Sequence, residues 1–205
     1  GAGALAPLYA ITRPAMEEYA LRHGYAPVLD RHPVLEPYSW GKLPLLMELL
    51  EQYDAVLWID ADCLIIDPDQ DLAHGIPRWA AQAMVRHHTN DGLVPGCGVW
   101  YLAGGDGRKL CELALSHYQD LEARQNPWWE QAAVIAHIAA GWWRQTWWLD
   151  VGWNVHPQER ETIHRPRILH YTNLPDRLGA LQGLHGGPFG PFLHLDSPAW
   201  SWRNR

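Results

Sequence analysis

Lysine is nearly absent from this chain. Its 205 residues hold two, Lys42 and Lys109, against 14 arginines, and the formal net charge is −7 with no basic run. That balance argues against DNA or RNA binding driven by phosphate neutralisation; it leaves room for a local cationic pocket around a small phosphate ligand. Cysteine is scarce too: Cys63, Cys97 and Cys111 are odd in number and scattered, with no C-x-x-C pair. Reduced thiols in a cytoplasmic chain are expected, without a cysteine metal knuckle. No apolar run approaches the ~18 residues that span a bilayer. The opening GAGALAPLY has no basic-then-apolar signal pattern. The expected location is the cytoplasm, with peripheral membrane association allowed.

Tryptophan, by contrast, is abundant. There are 13, several in pairs: Trp128 with Trp129, Trp142 with Trp143, Trp147 with Trp148. Most serve as large core fillers on the simplest reading. Exposed ones have a second use, because an indole covers the apolar face of a sugar while its N–H bonds a hydroxyl. Hydrophobic residues make up 47% and charged residues 19%, the balance of a globular domain. At this length, with no repeat and no linker, one domain spanning 1–205 is expected.

The pattern alternates. A helix is expected over 13–25, with Pro14 in its first turn and Gly24 at its stop, then a short strand at 26–30. A helix over 39–53 puts Leu43, Leu46, Leu49 and Leu50 on one face; Pro44 suits it only if it begins near Gly41. AVLWID (55–60) is a continuous apolar run, as in a strand covered on both faces. Further strands are expected within 80–88, 95–105, 143–150 and 165–172. Helices are expected over 106–121, capped by Asp106, over 126–140, capped by Asn126, and briefly over 174–184. The Gly/Pro-rich tail, 185–205, reads as an ordered loop over the core. Helices alternating with strands predict an α/β domain with a mixed, mostly parallel sheet flanked by helices.

Two carboxylates, Asp60 and Asp62, stand one residue apart where the apolar strand ends. Residues i and i+2 point the same way in a strand, and ligands of open α/β sheets bind beyond the strands' carboxyl ends. A D-x-D pair also arises by chance as a turn with solvated aspartates. The strand before it, the helix ahead and a later strand ending in His170 favour a divalent cation, Mn²⁺ or Mg²⁺ from the oxygen-rich donor set. The other reading of His170 is a buried structural histidine.

YSWGKLPLLMELLEQYDAVLWIDADCLIIDP (38–68) resembles the core of GT-A glycosyltransferases. It is most similar to glycosyltransferase family 34, the galactosyl-, mannosyl- and xylosyltransferases, with the glycogenin-like family 8 second. YALRHGY (19–25), Lys42 in W-G-K, D-A-D (60–62), WWEQAAV (128–134), GWNVHP (152–157) and ILHY (168–171) fall in the family order. The resemblance implies a nucleotide-diphosphate sugar donor such as a UDP- or GDP-sugar, a divalent metal, usually Mn²⁺, a saccharide or glycan acceptor, and retention at the anomeric carbon, as in polysaccharide biosynthesis. It implies Asp60, Asp62 and His170 at the metal, and Lys42, Asp60 and Arg177 at the donor. Glu130 and Gln131 would face the reacting sugar, and Trp129, Asp150 and Asn154 the acceptor. For an inverting enzyme Glu130 would be the natural general base. Plainer readings stand beside these: Glu130 as a first-turn helix carboxylate, Lys42 as a solvated lysine, Asp150 and Asn154 as turn formers, His87 and His88 as strand-end residues.

The chain also departs from the family. The first strand is expected to be cut short, since only GAGALAPLYAIT precedes Pro14. Gly96 stands where an asparagine is expected, with Asn90 or Asp91 as substitutes. A bacterial or viral enzyme is expected in the absence of a Golgi anchor. Two rivals remain: a catalytically silent sugar-nucleotide or carbohydrate binder on the same fold, and a haloacid-dehalogenase-type phosphatase. The latter places D-x-D on its first strand and needs a later lysine beside an acidic pair, for which Lys109 is poorly suited.

Overall fold

The structure is a computed structural model and describes residues 2–28, 35–89, 92–172 and 179. The expected 174–184 helix, the tail, and the residues Asn90, Asp91 and Arg177 lie outside these, apart from residue 179. The architecture is mixed α/β, with helices packed on a mixed sheet. Helix α1 runs Ala2–His23 and α2 Tyr38–Gln52; strands β1 (Ala55–Ile59) and β2 (Cys63–Ile65) follow. Next come β3 (Gln82–Thr89), β4 (Gly92–Ala103), α3 (Gly104–Ser116), α4 (Leu121–Gln125) and α5 (Trp129–Ala139). The last strands are β5 (Thr146–Trp148) and β6 (Ile168–His170).

The main sheet has the order β1-β4-β3-β5, and β2 pairs with β6 in a second, two-stranded sheet. The balance of directions differs from expectation. Among the described pairs β3–β5 is parallel, whereas β1–β4, β3–β4 and β2–β6 are antiparallel. The reason is the long β3–β4 hairpin, which returns directly instead of crossing over through a helix.

Both helices with internal prolines exceed their expected bounds. α1 continues N-terminal to Pro14 and contains Pro7 as well, and α2 starts at Tyr38 with Pro44 inside. Proline removes one helical hydrogen bond, but Trp40, Leu43 and Leu46 of α2 are fully buried, and that packing outweighs the local loss. Gly24 does end α1: it takes φ +75°, and the Tyr25 N–H reaches back to the Ala20 carbonyl at 2.8 Å. Residues 26–28 are not a strand. α5 starts later than expected. Asn126 accepts from the Trp128 N–H at 2.9 Å, and the helix begins at Trp129, whose φ of 44° is unusual for a bulky residue. Asp106 lies in the first turn of α3, with Ala103 at the cap position.

Two apolar clusters sandwich the sheet. α1, β2 and β6 supply one, around Leu8, Tyr19, Leu64 and Ile168; α2, α3, α5 and β4 supply the other, around Trp40, Leu46, Trp100 and Leu110. β1 packs on both faces, Leu57 and Ile59 against the first cluster and Val56 and Trp58 against the second, but among the described residues it is an edge strand, partly exposed at all five positions, and its side chains also wall a cavity. No described helix is long and apolar enough to cross a membrane.

Candidate functional site

β1 delivers Asp60 from its carboxyl end, and the backbone of that residue is fixed at once: its N–H bonds the Gly98 carbonyl at 2.8 Å and its carbonyl accepts from Cys63 at 2.9 Å. This tight turn swings the chain into β2 and brings Asp62 beside β6. Cys63 is registered opposite His170, so the antiparallel pairing sets the imidazole next to both aspartates. His170 Nε2 lies 3.3 Å from Asp62 Oδ1 and 3.8 Å from Asp60 Oδ2. Its other nitrogen, Nδ1, donates to Asn154 Oδ1 at 3.0 Å. Fixing the proton on Nδ1 leaves an Nε2 lone pair aimed at two carboxylates, an arrangement that asks for a cation between them.

Lys42 lies on the other side of Asp60. Its ammonium is 3.1 Å from Asp60 Oδ1 and 3.0 Å from Glu130 Oε1, and it is 4% exposed. The solvated-lysine reading is therefore set aside. Burial works against its charge, but Asp60 and Glu130 outweigh that and hold the ammonium above the ordinary lysine range. Asp60, Asp62 and Glu130 thus set three carboxylates against one ammonium. The two charges left over match a divalent ion.

The donor set fits such an ion. Asp62 and His170 are buried, and Asp60 is half-buried with Oδ2 turned toward them. Cys63 Sγ is close enough to join Asp62 and His170; in the metal-free chain burial, then Asp62 and Asp60, push its thiol well up, and its S–H points to the Gly98 carbonyl at 3.7 Å. The three cysteines are buried and free. Gly98 makes the cradle: a Cβ there would stand 2.1 Å from His170 Cε1. Gly98→Ala is expected to displace the imidazole, cost about 1–3 kcal/mol by overpacking, and weaken Mn²⁺ binding. Thermal melts and Mn²⁺ titration of the variant check this.

A cavity of about 970 Å³ opens over these residues and runs between α1 and β1. Asp60, Asp62, His170 and Lys42 line one end together with Trp129, while Tyr9 belongs to the α1 wall. That volume suits a small-molecule ligand of nucleotide-sugar size. Trp129 is 41% exposed, so its indole is open to solvent beside the carboxylates.

The remaining candidates sit differently. Glu130 is in the first turn of α5, 3% exposed, and turns toward Lys42 rather than the cavity. Gln131 Oε1 meets the Cys97 N–H at 3.5 Å. Asn154 is fully buried, and its contact is His170. Asp150 takes the turn reading: Oδ1 accepts from Gly152 N–H at 3.0 Å and from Arg167 at 2.7 Å, and the residue does not line the cavity. Gly96 shows why no asparagine stands there, for a Cβ would come within 2.8 Å of His87 Nε2 and 3.1 Å of Asn154 Nδ2.

Sequence reasoning missed Trp58, whose Nε1–H donates to Asp60 Oδ1 at 2.6 Å. The signal was present, since residue 58 precedes 60 by one pleat and shares its face. It also missed Gly98, and it read His87 as a strand end. Those places depend on a register shift in the β3–β4 hairpin between Met84 and Val85, which no short motif announces.

No family model matches the sequence, and no curated protein matches it significantly. Solved structures do match. One is a glycosyltransferase involved in the glycosylation of the major capsid of PBCV-1, with a TM-score of 0.69 at 15% identity, covering 86% of this chain and 92% of that one. Another is the glycosyltransferase GlyE of Streptococcus pneumoniae TIGR4, with a TM-score of 0.50 at 13% identity, covering 77% of this chain and 45% of that one. The chain has the fold of these glycosyltransferases, a mixed α/β architecture of the GT-A type.

Proposed function

We propose that this chain is a divalent-metal-dependent glycosyltransferase that moves a sugar from a nucleotide-diphosphate donor to a saccharide acceptor with retention of configuration. One observation carries the reading. His170 Nε2 stands 3.3 Å from an Asp62 oxygen and 3.8 Å from an Asp60 oxygen at the end of a nucleotide-sized cavity. The shared fold supports it. The motif order, closest to family 34 and next to family 8, supports the retaining class.

Asp62 and His170 would hold the metal, with Asp60 beside them. Bound Mn²⁺ supplies Lewis-acid stabilisation of charge on the leaving diphosphate. Asn154 keeps the imidazole in the ligating tautomer. Lys42 holds Asp60 in place through one carboxylate oxygen and leaves the other free to face His170. The Trp129 indole offers a face to the apolar side of a sugar ring. A general base must come within about 2.6–3.2 Å of the acceptor hydroxyl. Glu130 is buried against Lys42 and does not line the cavity, which counts against that role and favours retention. The acceptor proton then passes to the leaving diphosphate. Glu130 and Gln131 act from beneath, through Lys42 and the Cys97 backbone.

A thermal-shift panel of nucleotide sugars, with and without Mn²⁺, tests this. One donor should raise the melting temperature only when metal is present; at a hundredfold excess over Kd the stabilisation is about 2.7 kcal/mol. No shift with any donor would sink the proposal. A shift without any transfer or slow hydrolysis would favour the silent binder.

A further inference from the structure

A second group of donors lies behind the carboxylate pair. His87 projects from β3, while His156 and Glu159 come from the cap and first turn of a 3-10 segment, Pro157–Thr162. Their ligand atoms all lie within 4.8 Å of one another. Glu159 Oε2 is 4.0 Å from His87 Nδ1 and 3.7 Å from His156 Nδ1. The two imidazoles stack face to face, 4.1 Å apart and 6° from parallel, with both Nδ1 atoms near the same carboxylate oxygen.

The polar bookkeeping of this cluster does not close with protein atoms. His87 is 4% exposed, and neither of its ring nitrogens has a hydrogen-bond partner. Glu159 Oε2 is buried and lacks one too. Buried polar atoms are rarely left this way without a ligand, an ion or ordered water. Burial, with His156 and then His170 nearby, pushes the His87 pKa down to about 3, and burial lowers that of His156. Neutral imidazole is the form that ligates metal.

We propose that His87, His156 and Glu159 bind a zinc-type divalent cation at a site distinct from the Asp60, Asp62 and His170 centre. Two imidazoles and one carboxylate are the donors that a borderline ion such as Zn²⁺ selects, whereas the oxygen-richer D-x-D centre suits Mn²⁺ or Mg²⁺. Donor atoms about 4 Å apart stand roughly 2.3 Å from a common centre, close to Zn–N bonds of about 2.0–2.1 Å, but the in-plane lone pairs of stacked rings run parallel, so ligation requires both imidazoles to turn out of their stack. The ion would tie β3 to the segment that carries Asn154 and His156. The His156 and His170 rings are 6.1 Å apart, so this brace lies directly behind the imidazole of the first centre. The inference does not depend on the glycosyltransferase reading.

Metal-free full-length chain, prepared with a chelator, tests the site. Zn²⁺ stoichiometry is measured by equilibrium dialysis, and Co²⁺ serves as the visible probe of a four-coordinate site. Wild type and Asp62→Asn should both bind one Zn²⁺ with the Co²⁺ absorption band. Glu159→Gln should weaken that binding at least tenfold, and His156→Gln should abolish it, with far-UV circular dichroism unchanged. Glu159 is partly exposed, so its amide variant keeps the test valid if a histidine variant fails to fold. Absence of the band in wild type, or unchanged Zn²⁺ binding in both Glu159→Gln and His156→Gln, would overturn the proposal. So would loss of all Zn²⁺ in Asp62→Asn, which would assign the metal to the first centre alone.

Discussion

Asp62→Ala is expected to lower turnover by roughly 10²–10³-fold, the usual cost of removing one group that stabilises transition-state charge. Its neighbours cannot replace it. Asp60 Oδ1 is already held by Lys42 and by the Trp58 indole, leaving only Oδ2 and the imidazole of His170 to face an ion. The fold should survive, because residue 62 is anchored by its backbone: its carbonyl accepts from the Tyr171 N–H at 2.9 Å. Mn²⁺ affinity, followed by calorimetric titration, should therefore fall together with activity while the melting temperature of the metal-free protein changes little. A variant with full metal-dependent activity and unchanged Mn²⁺ affinity would remove Asp62 from the site.

Lys42→Met should act in the opposite way, on the fold before the chemistry. The substitution leaves Glu130, 3% exposed, and Asp60 without their shared cation. Breaking a buried ion pair from one side costs about 3–5 kcal/mol, because the orphaned charge stays buried. Chemical denaturation of the single variant should show that loss, and adding Glu130→Gln should recover part of it. A loss below about 1 kcal/mol, with no recovery in the double variant, would mean the pair is not the buried device described. The pH dependence has a definite sign. The ammonium is held above its ordinary range, so its contribution is complete below the normal lysine pKa of about 10.4. It disappears only as the pH climbs through the higher folded value.

Legibility varied with how local the cause was. The apolar run at 55–59, the D-x-D turn after it and the leucine face of α2 depend on neighbours a few residues away, and these were plain from the letters. Helix starts were not. Pro14 and Pro44 read as first-turn residues, yet both lie inside helices held by burial, and α5 begins three residues past its expected cap, Asn126. Propensity is a weak term of order 1 kcal/mol, up to ~3 for proline, and a fully buried helix face exceeds it. β1 was partly legible: its unbroken apolar run does pack against both clusters, but its place at the sheet edge, which leaves all five positions lining the cavity, was not.

Read in one dimension, the chain already offered the donor residues: two aspartates one pleat apart, a histidine at the end of a later strand, and one of only two lysines, Lys42, 18 residues ahead of Asp60. Those are properties of residue type and short spacing, and they survive any arrangement of the fold. Which side chains meet was settled by long-range contacts. The pairing of Cys63 with His170 spans 107 residues of chain and the packing of α2 against α5 that joins Lys42 to Glu130 spans 88, while the bulge that frees Gly98 depends on the register of the β3–β4 hairpin. Contacts of that kind depend on the combined burial of two whole clusters, which no short stretch encodes.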